Sequence, residues 1–453
     1  MRSPLRFSKR LLFLCLILAA SSLAASGQTP TVLHSFDGTD GSLPLFESLA
    51  QGRDGNLYGT TNGGIQHSHG TIFRITPEGA LSFYTFDSTH GATPYAGLVL
   101  GTDGLFRGTT AFGGTSSDGV VFSIGPQSPF AVLLNFDGTN GSEPVAPLAL
   151  GVDGNYYGTT TVGGTNNSGT VFKLTQAGTL TTLYSFSNFP GPGGLVYGLD
   201  NAFYGITEGG GTSNFGTIFR ITPSGSFTTI YNFDGTHGNQ PRYALFLAND
   251  GNFYGTTSGG GDFNLGTVFR LDKTGVVVLH SFDGTDGEFP YNGLIQATDG
   301  NFYGTAPFGG TLSAGTIFSI TTSGTFNVIY NFDTTHGIQP SGLMQHTNGK
   351  LYGTTTGGGK GNDGTVFSLD MGLGPFVTFV LPFGQVGSGV QILGTGLTGA
   401  TAVTFNGVPA TTFSVISDTF MGAIVPSGAT SGPVEVATPG GTLTSNVSLQ
   451  IEP

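Results

Sequence analysis

The stretch Leu57–Phe73, LYGTTNGGIQHSHGTIF, decides how the rest of this chain is read. It holds an aromatic residue, Gly-Thr-Thr, a glycine pair and a closing Gly-Thr-Ile/Val-Phe. The aromatic position is read at Tyr58, Phe106, Tyr157, Tyr204, Tyr254, Tyr303 and Tyr352. The closing phenylalanine is Phe73, Phe122, Phe172, Phe219, Phe269, Phe318 and Phe367. A third landmark, SFDGTDG at Ser35–Gly41, recurs at Phe86, Phe136, Phe186, Phe233, Phe282 and Phe332. Counted from Phe36, the steps are 50, 50, 50, 47, 49 and 50 residues. A period of this size marks stacked or radially arranged supersecondary units.

One repeat reads as four short antiparallel strands. Leu49–Gly52 and Leu57–Thr61 flank the turn Arg53-Asp54-Gly55-Asn56, whose Asp-Gly accepts positive φ. Thr71–Thr76 and Leu81–Phe86 are joined by Pro77-Glu78-Gly79. In Thr71-Ile72-Phe73-Arg74-Ile75 the apolar residues alternate, as a strand requires. Four strands in about 50 residues is the size of a propeller blade, and seven copies of each landmark predict seven blades. The array opens on a lone fourth strand, Thr31–Phe36, and ends on a third strand, Gly364–Leu369. The first strand is therefore expected to complete the last blade and close the ring, whereas an open solenoid needs capping repeats.

Composition agrees with an ordered all-β protein. Of 453 residues only 9% are charged, 12% are aromatic, and 79 are glycine. Arg2, Arg6, Lys9 and Arg10 precede the apolar run Leu11–Ala20 and the small residues Ser21–Gly27. That is the layout of a secretory signal peptide, and the run is too short to span a bilayer. Residues 1–27 are accordingly assigned to the signal, residues 28–371 to the propeller and 372–375 to a linker. Removing the leader takes away four basic residues and no acidic one, so the net charge moves from −13 to −17. Such a field repels duplex DNA, so no nucleic-acid partner is expected. The single cysteine, Cys15, lies in the leader, and the mature chain must stand outside the cell without disulfides.

The tryptophan of kelch repeats is missing, as is the WD40 signature. The combination SFDGTDG, NLYGTT, GG and GTIF over Thr31–Leu369 resembles the GloVer repeats of exported Gloeobacter and Verrucomicrobia proteins. That resemblance implies an exported setting and no particular mechanism. From about Phe376 to Pro453 the pattern changes. Val390, Ile392, Val403, Phe405, Phe413, Val415, Ile424, Val434 and Val436 fit short alternating strands, with turns at Asn406-Gly407, Ser427-Gly428 and Gly440-Gly441. Eighty residues of this kind suggest an Ig-like sandwich. Val390–Gly394, Val403–Ala410, Val425-Pro426 and Ser431–Val434 resemble an IPT/TIG domain. Without basic residues, its extracellular, structural kind is implied.

Several groups could carry chemistry. Asp37, Asp40, Asp283 and Asp286 offer oxygens to calcium, but the second position becomes His90, Asn140, His237 and His336 elsewhere, which favours Asx turns. His67 and His69 share one loop, while His90, His237 and His336 belong to different blades and have no paired carboxylate. The repeated Tyr and Phe suit blade packing before sugar stacking. The glycine pairs make no phosphate loop, since no Gly-Lys-Ser/Thr follows. The loop Phe186–Gly194, FSNFPGPGG, is three residues short, and drift is favoured over a site. No catalytic, cofactor-binding or metal-ligating residue is assigned, and no cofactor.

The expectation is a secreted or cell-surface, non-catalytic binding or structural protein. It would be a monomer without a membrane span after signal cleavage, presenting its long-loop face to an extracellular polysaccharide or protein. The alternative is an extracellular polysaccharide lyase or hydrolase with its site on the same face. Fold alone does not decide between them.

Overall fold

The computed structural model describes residues 28–45, 48–64, 69–188 and 190–452. The expected signal peptide and His67 lie outside the described residues. The described residues are all β, with no helix among them. Between Thr31 and Leu369 they form seven four-stranded antiparallel sheets, each open rather than closed on itself. The first sheet runs in order Ala50–Gln51, Leu57–Thr61, Thr71–Ile75 and Leu81–Thr85. The first strand is shorter than Leu49–Gly52 because Gly52 already turns, its amide donating to the Asn56 carbonyl. The seventh sheet takes its three later strands from Ile338–Leu369 and its outer one from the other end of the chain. Thr31–Ser35 pairs antiparallel with Thr365–Leu369, placing Val32 opposite Phe367 and Ser35 opposite Thr365.

Each sheet is built around one steric unit. The second strand carries a glycine, at Gly59 or Gly158 for example, exactly where the closing phenylalanine and a leucine of the first strand converge. A Cβ on Gly158 would lie 2.6 Å from Phe172 Cζ and 2.7 Å from Leu148 Cδ2. The glycine is there because the ring occupies its side-chain space. Phe73, Phe122, Phe172, Phe219, Phe269, Phe318 and Phe367 are fully buried in consequence.

One landmark is out of register in the second repeat. Val99 pairs with Arg107 as Ala50 pairs with Tyr58, so Arg107 and not Phe106 holds the tyrosine position. The exchange works because both side chains reach the turn aspartate. Tyr58, Tyr157, Tyr254 and Tyr303 each donate their hydroxyl to Asp54, Asp153, Asp250 and Asp299 at 2.7–2.8 Å. Arg107 grips Asp103 with two nitrogens, both at 2.6 Å, and is itself buried.

Neighbouring sheets are joined by threonine hydroxyls at one repeated place. Thr109 donates to the Pro144 carbonyl, Thr159 to Gly193, Thr256 to Asn292 and Thr305 to Ser341. The seventh sheet is joined to the first: Ser341 Oγ donates to Pro44 O, and Gln51 exchanges two hydrogen bonds with Thr347. Phe36 packs in one cluster with Leu49 and Phe73 of the first sheet and Tyr352 and Val366 of the seventh.

Buried His346 sits in that same seam. Its Nε2 donates to Gly55 O across the seam at 2.9 Å, and its Nδ1 accepts the Asn348 amide at 3.1 Å. Burial holds its pKa below the usual 6.5, against upward pulls from the Gly55 carbonyl, Asn348 and Glu78. The native state thus keeps a neutral ring while the unfolded chain takes up a proton. The associated stability is complete above about pH 6.5 and is lost as the pH falls below it. His346→Gln retains a donor and does not titrate, so wild type should lose up to about 1.4 kcal/mol per pH unit relative to it below 6.5. Urea unfolding of both proteins at pH 7.5, 6.0 and 5.0 measures this; equal pH slopes would refute it.

Residues 376–452 form two further four-stranded sheets and a two-stranded pair, Phe383–Gln385 with Gln450–Glu452. Their shared core includes Val377, Val390, Ile392, Val403, Phe405, Met421, Val434 and Val436. This unit lies against the tight-turn side of the sheets. Arg53 donates to both Thr102 O and Gln391 Oε1 and lies 4.5 Å from the centre of the Phe420 ring. Thr419 donates to Arg53 O, Thr395 meets Thr347, and Asn249 donates to Asn446 O. Phe383 meets Tyr197 edge-on. The contacts reach the first, second, fourth, fifth and seventh sheets. The expected linker is itself engaged, the Leu373 carbonyl lying over Gly349 and Phe376 donating to Thr347 O.

Candidate functional site

The long loops and crossovers do meet on one side. Ser42 bridges Gly63, Ala92 bridges Phe112, Ser142 bridges Val162, Asn239 bridges Gly259 and Glu288 bridges Phe308. The Asp-rich crossovers spend their oxygens on their own turns. Asp37 Oδ1 accepts from the Thr39 amide and hydroxyl, and Asp40 Oδ1 from the Asp37 amide. The Thr39 hydroxyl and amide hold the Asp37 carboxyl below the usual range.

The expectation that the crossover histidines lack a paired carboxylate is corrected by the structure, because the crossover turn brings an aspartate three residues away back onto the ring. His90, His237 and His336 each contact the first aspartate of their own crossover, Asp87, Asp234 and Asp333. The His90 ring holds the Asp87 carboxyl down to about 2. A second arrangement escaped the sequence reading. Where the histidine position is Asp40 or Asp286, a histidine appears six residues earlier, and His34 and His280 meet those carboxylates at 2.6 Å. In the repeats with His90, His237 and His336 the earlier position is Tyr84, Tyr231 and Tyr330. This reciprocal exchange pins the crossover either way. Among the described residues no group of three or more His, Cys, Asp or Glu is placed to hold a metal ion.

The concave site lies elsewhere, among the segments that lead into the first strands, and out of the second strands, of the second to sixth sheets. A cavity of about 290 Å³ is lined there by Tyr95, Val145–Pro147, Thr161, Gly191–Gly194, Glu208, Arg242, Tyr243 and Tyr291. None of the histidines considered above lines it. Two charged residues at positions that vary from repeat to repeat meet in it. Glu208 follows the Gly-Xaa-Thr strand where other repeats carry Asn62, Ala111, Thr161, Ser258, Pro307 and Thr356. Arg242 follows the crossover proline where others carry Leu45, Tyr95, Val145, Gly193, Tyr291 and Ser341. The two pair at 2.5 Å, and the Arg242 guanidinium lies 5.0 Å from the centre of the Tyr291 ring.

The end of the short loop, Gly191–Gly194, forms one wall. With three residues missing, its end joins the extended strand Pro192–Tyr197, and Glu208 donates its amide to Gly191 O. A Cβ on Gly193 would fall 2.5 Å from Ile206 Cδ1, and one on Gly194 2.8 Å from the Ala244 Cβ. Only glycine lets the wall close in there. Tyr243 forms the floor. Its ring lies against Gly293 of the sixth sheet, and its hydroxyl comes within 3.4 Å of Ser48 Oγ, on the first sheet.

Fold and cavity together define an all-β repeat protein of propeller-like build. The chain belongs to the Gloeobacter/Verrucomicrobia repeat family, whose model matches residues 20–193 and 191–415. No curated protein matches it. In fold it is similar to virginiamycin B lyase from Staphylococcus aureus, a catalytically inactive form of which was solved with quinupristin. That match has 15% identity, covers 75% of this chain and 98% of that one, and has a TM-score of 0.54. A fungal alcohol oxidase in complex with copper is similar at 14% identity over 94% of this chain and 100% of that one, with a TM-score of 0.50. At such identities the likeness concerns the fold alone.

Proposed function

We propose that the protein is an exported, non-catalytic binding protein whose ligand enters the central cavity from the long-loop side. In this reading the seven sheets are the blades of a seven-bladed propeller closed by Thr31–Ser35. The C-terminal unit is an Ig-like, IPT/TIG-type sandwich that blocks the opposite opening, and residues 1–27 direct export. The threonine hydrogen bonds between successive sheets, interrupted at the fourth where Ile206 replaces the threonine, and the bonds from the seventh sheet back to the first support the ring.

One observation carries the binding assignment: positions that vary among the copies of an otherwise rigid repeat converge on one pocket. Repeated positions serve packing, so a pocket lined by exceptions is the place where selection for a ligand acts. Catalysis by acid–base chemistry needs a second group in reach of the first. Here the lining holds one carboxylate, Glu208, and it is already tied to Arg242. The mature protein is therefore expected to retain a soluble or polymeric ligand without converting it. The check is product analysis after prolonged incubation with acidic and neutral polysaccharides, alongside Glu208→Gln. Turnover abolished by that substitution would replace this reading with a lyase or hydrolase.

A further inference from the structure

Resting on the binding reading, we propose that the central cavity receives the terminal ring of an uncharged glycan chain. Charge narrows the ligand first. Glu208 and Arg242 are the charged groups of the lining, and their formal charges cancel. An anionic end group must approach the Glu208 carboxylate, and a cationic one must approach the Arg242 guanidinium. Each meets repulsion at short range from one member of the pair.

A purely hydrocarbon ligand fails for a different reason. It would strip water from both members of this part-exposed ion pair and return no hydrogen bond. A hydroxyl group avoids this, because it donates to a carboxylate and accepts from a guanidinium. Neighbouring hydroxyls on one ring satisfy both members of the pair at once, with the strength of charge-assisted hydrogen bonds.

The remaining walls suit the C–H faces of the same ring. Tyr95, Tyr243, Tyr291, Val145 and Pro147 supply flat or apolar surface. A volume of about 290 Å³ is at the small end of ligand pockets and holds a ring or two. Tyr243, reaching across to Ser48, bars the way through. A chain cannot thread through, so the site reads chain ends.

The test is isothermal titration of the mature protein with cellobiose, maltose, xylobiose, mannobiose and diacetylchitobiose, each compared with a uronate-tipped disaccharide. A 1:1 isotherm is expected for at least one neutral sugar. Arg242→Ala, Glu208→Gln and Tyr291→Ala should each weaken it tenfold or more, with thermal melts confirming that the variants are folded. The exposed distant variant Lys360→Ala should leave it unchanged. The matching polymer should titrate by its chain ends and not by its mass. Absence of binding to every neutral sugar, tighter binding of the uronate-tipped form, or insensitivity to all three substitutions overturns the inference. A non-sugar ligand that is lost in Arg242→Ala would overturn it and leave the binding assignment standing. Hydrolysis of a bound neutral sugar would do the reverse.

Discussion

Removal of Thr31–Phe36 should destabilise the protein by well over 4 kcal/mol and turn it toward self-association. The segment makes the whole outer ladder of the seventh sheet, so its loss leaves Thr365–Leu369 as an exposed edge. An unpaired edge of alternating apolar residues is a template for pairing with other chains. The largest single contribution comes from Phe36, which is fully buried between the first and seventh sheets. Truncating a buried phenylalanine costs about 3–5 kcal/mol by itself, so Phe36→Ala should reproduce much of the deletion in denaturant melts without exposing an edge. The two variants separate the effects: both should melt early, and only the deletion should elute as aggregates in gel filtration. A deletion that melts and elutes like the mature protein would show that the seam between first and last sheets contributes nothing.

The repeat was legible because its constraints are local and steric. A glycine under a phenylalanine, an Asp-Gly turn and a tyrosine reaching that aspartate each leave a fixed mark within one repeat. Three features left no such mark. Arg107 was hidden because an arginine and a tyrosine satisfy the same carboxylate, and no pattern based on residue class equates them. Arg53 looked like one more turn residue. Its place among Thr102, Val152, Leu199, Asn249, Thr298 and Thr347 in other repeats marks it as the exception that holds Gln391 and Phe420.

Glu208 and Arg242 are 34 positions apart on different sheets, and neither is unusual until the two are seen to face each other. The short loop Phe186–Gly194 was read as drift, yet its last residues line the cavity that these two define. The available signal was the departure from the repeat, position by position, and not the repeat itself. The histidine exchange between positions such as His34 and His90 could have been found in the same way.

The steric unit at the centre of every sheet makes a prediction whose sign is opposite to the usual one. Replacing glycine by alanine inside a strand ordinarily stabilises by about 0.5–1 kcal/mol, because the unfolded chain loses freedom. Gly158 has no left-handed backbone to protect, so that rule would apply if space allowed. Space does not allow it. The added carbon would meet Phe172 Cζ and Leu148 Cδ2 at distances where one of them has to move, and neither belongs to a loose group, since both are buried. Gly158→Ala should therefore cost about 1–3 kcal/mol, the range for overpacked cores, and Gly158→Val should exceed it despite the strand preference of valine.

The decisive variant is the pair Gly158→Ala with Phe172→Leu. Leucine lacks the Cζ atom that blocks the new carbon, so the double variant should be more stable than the sum of the two single changes predicts. The expected coupling is on the order of 1 kcal/mol in a double-mutant cycle read by urea unfolding. Strict additivity would mean that the strand shifts as a whole to accept the methyl group. The glycines at Gly59, Gly108, Gly205, Gly255, Gly304 and Gly353 would then need an explanation other than the ring above them.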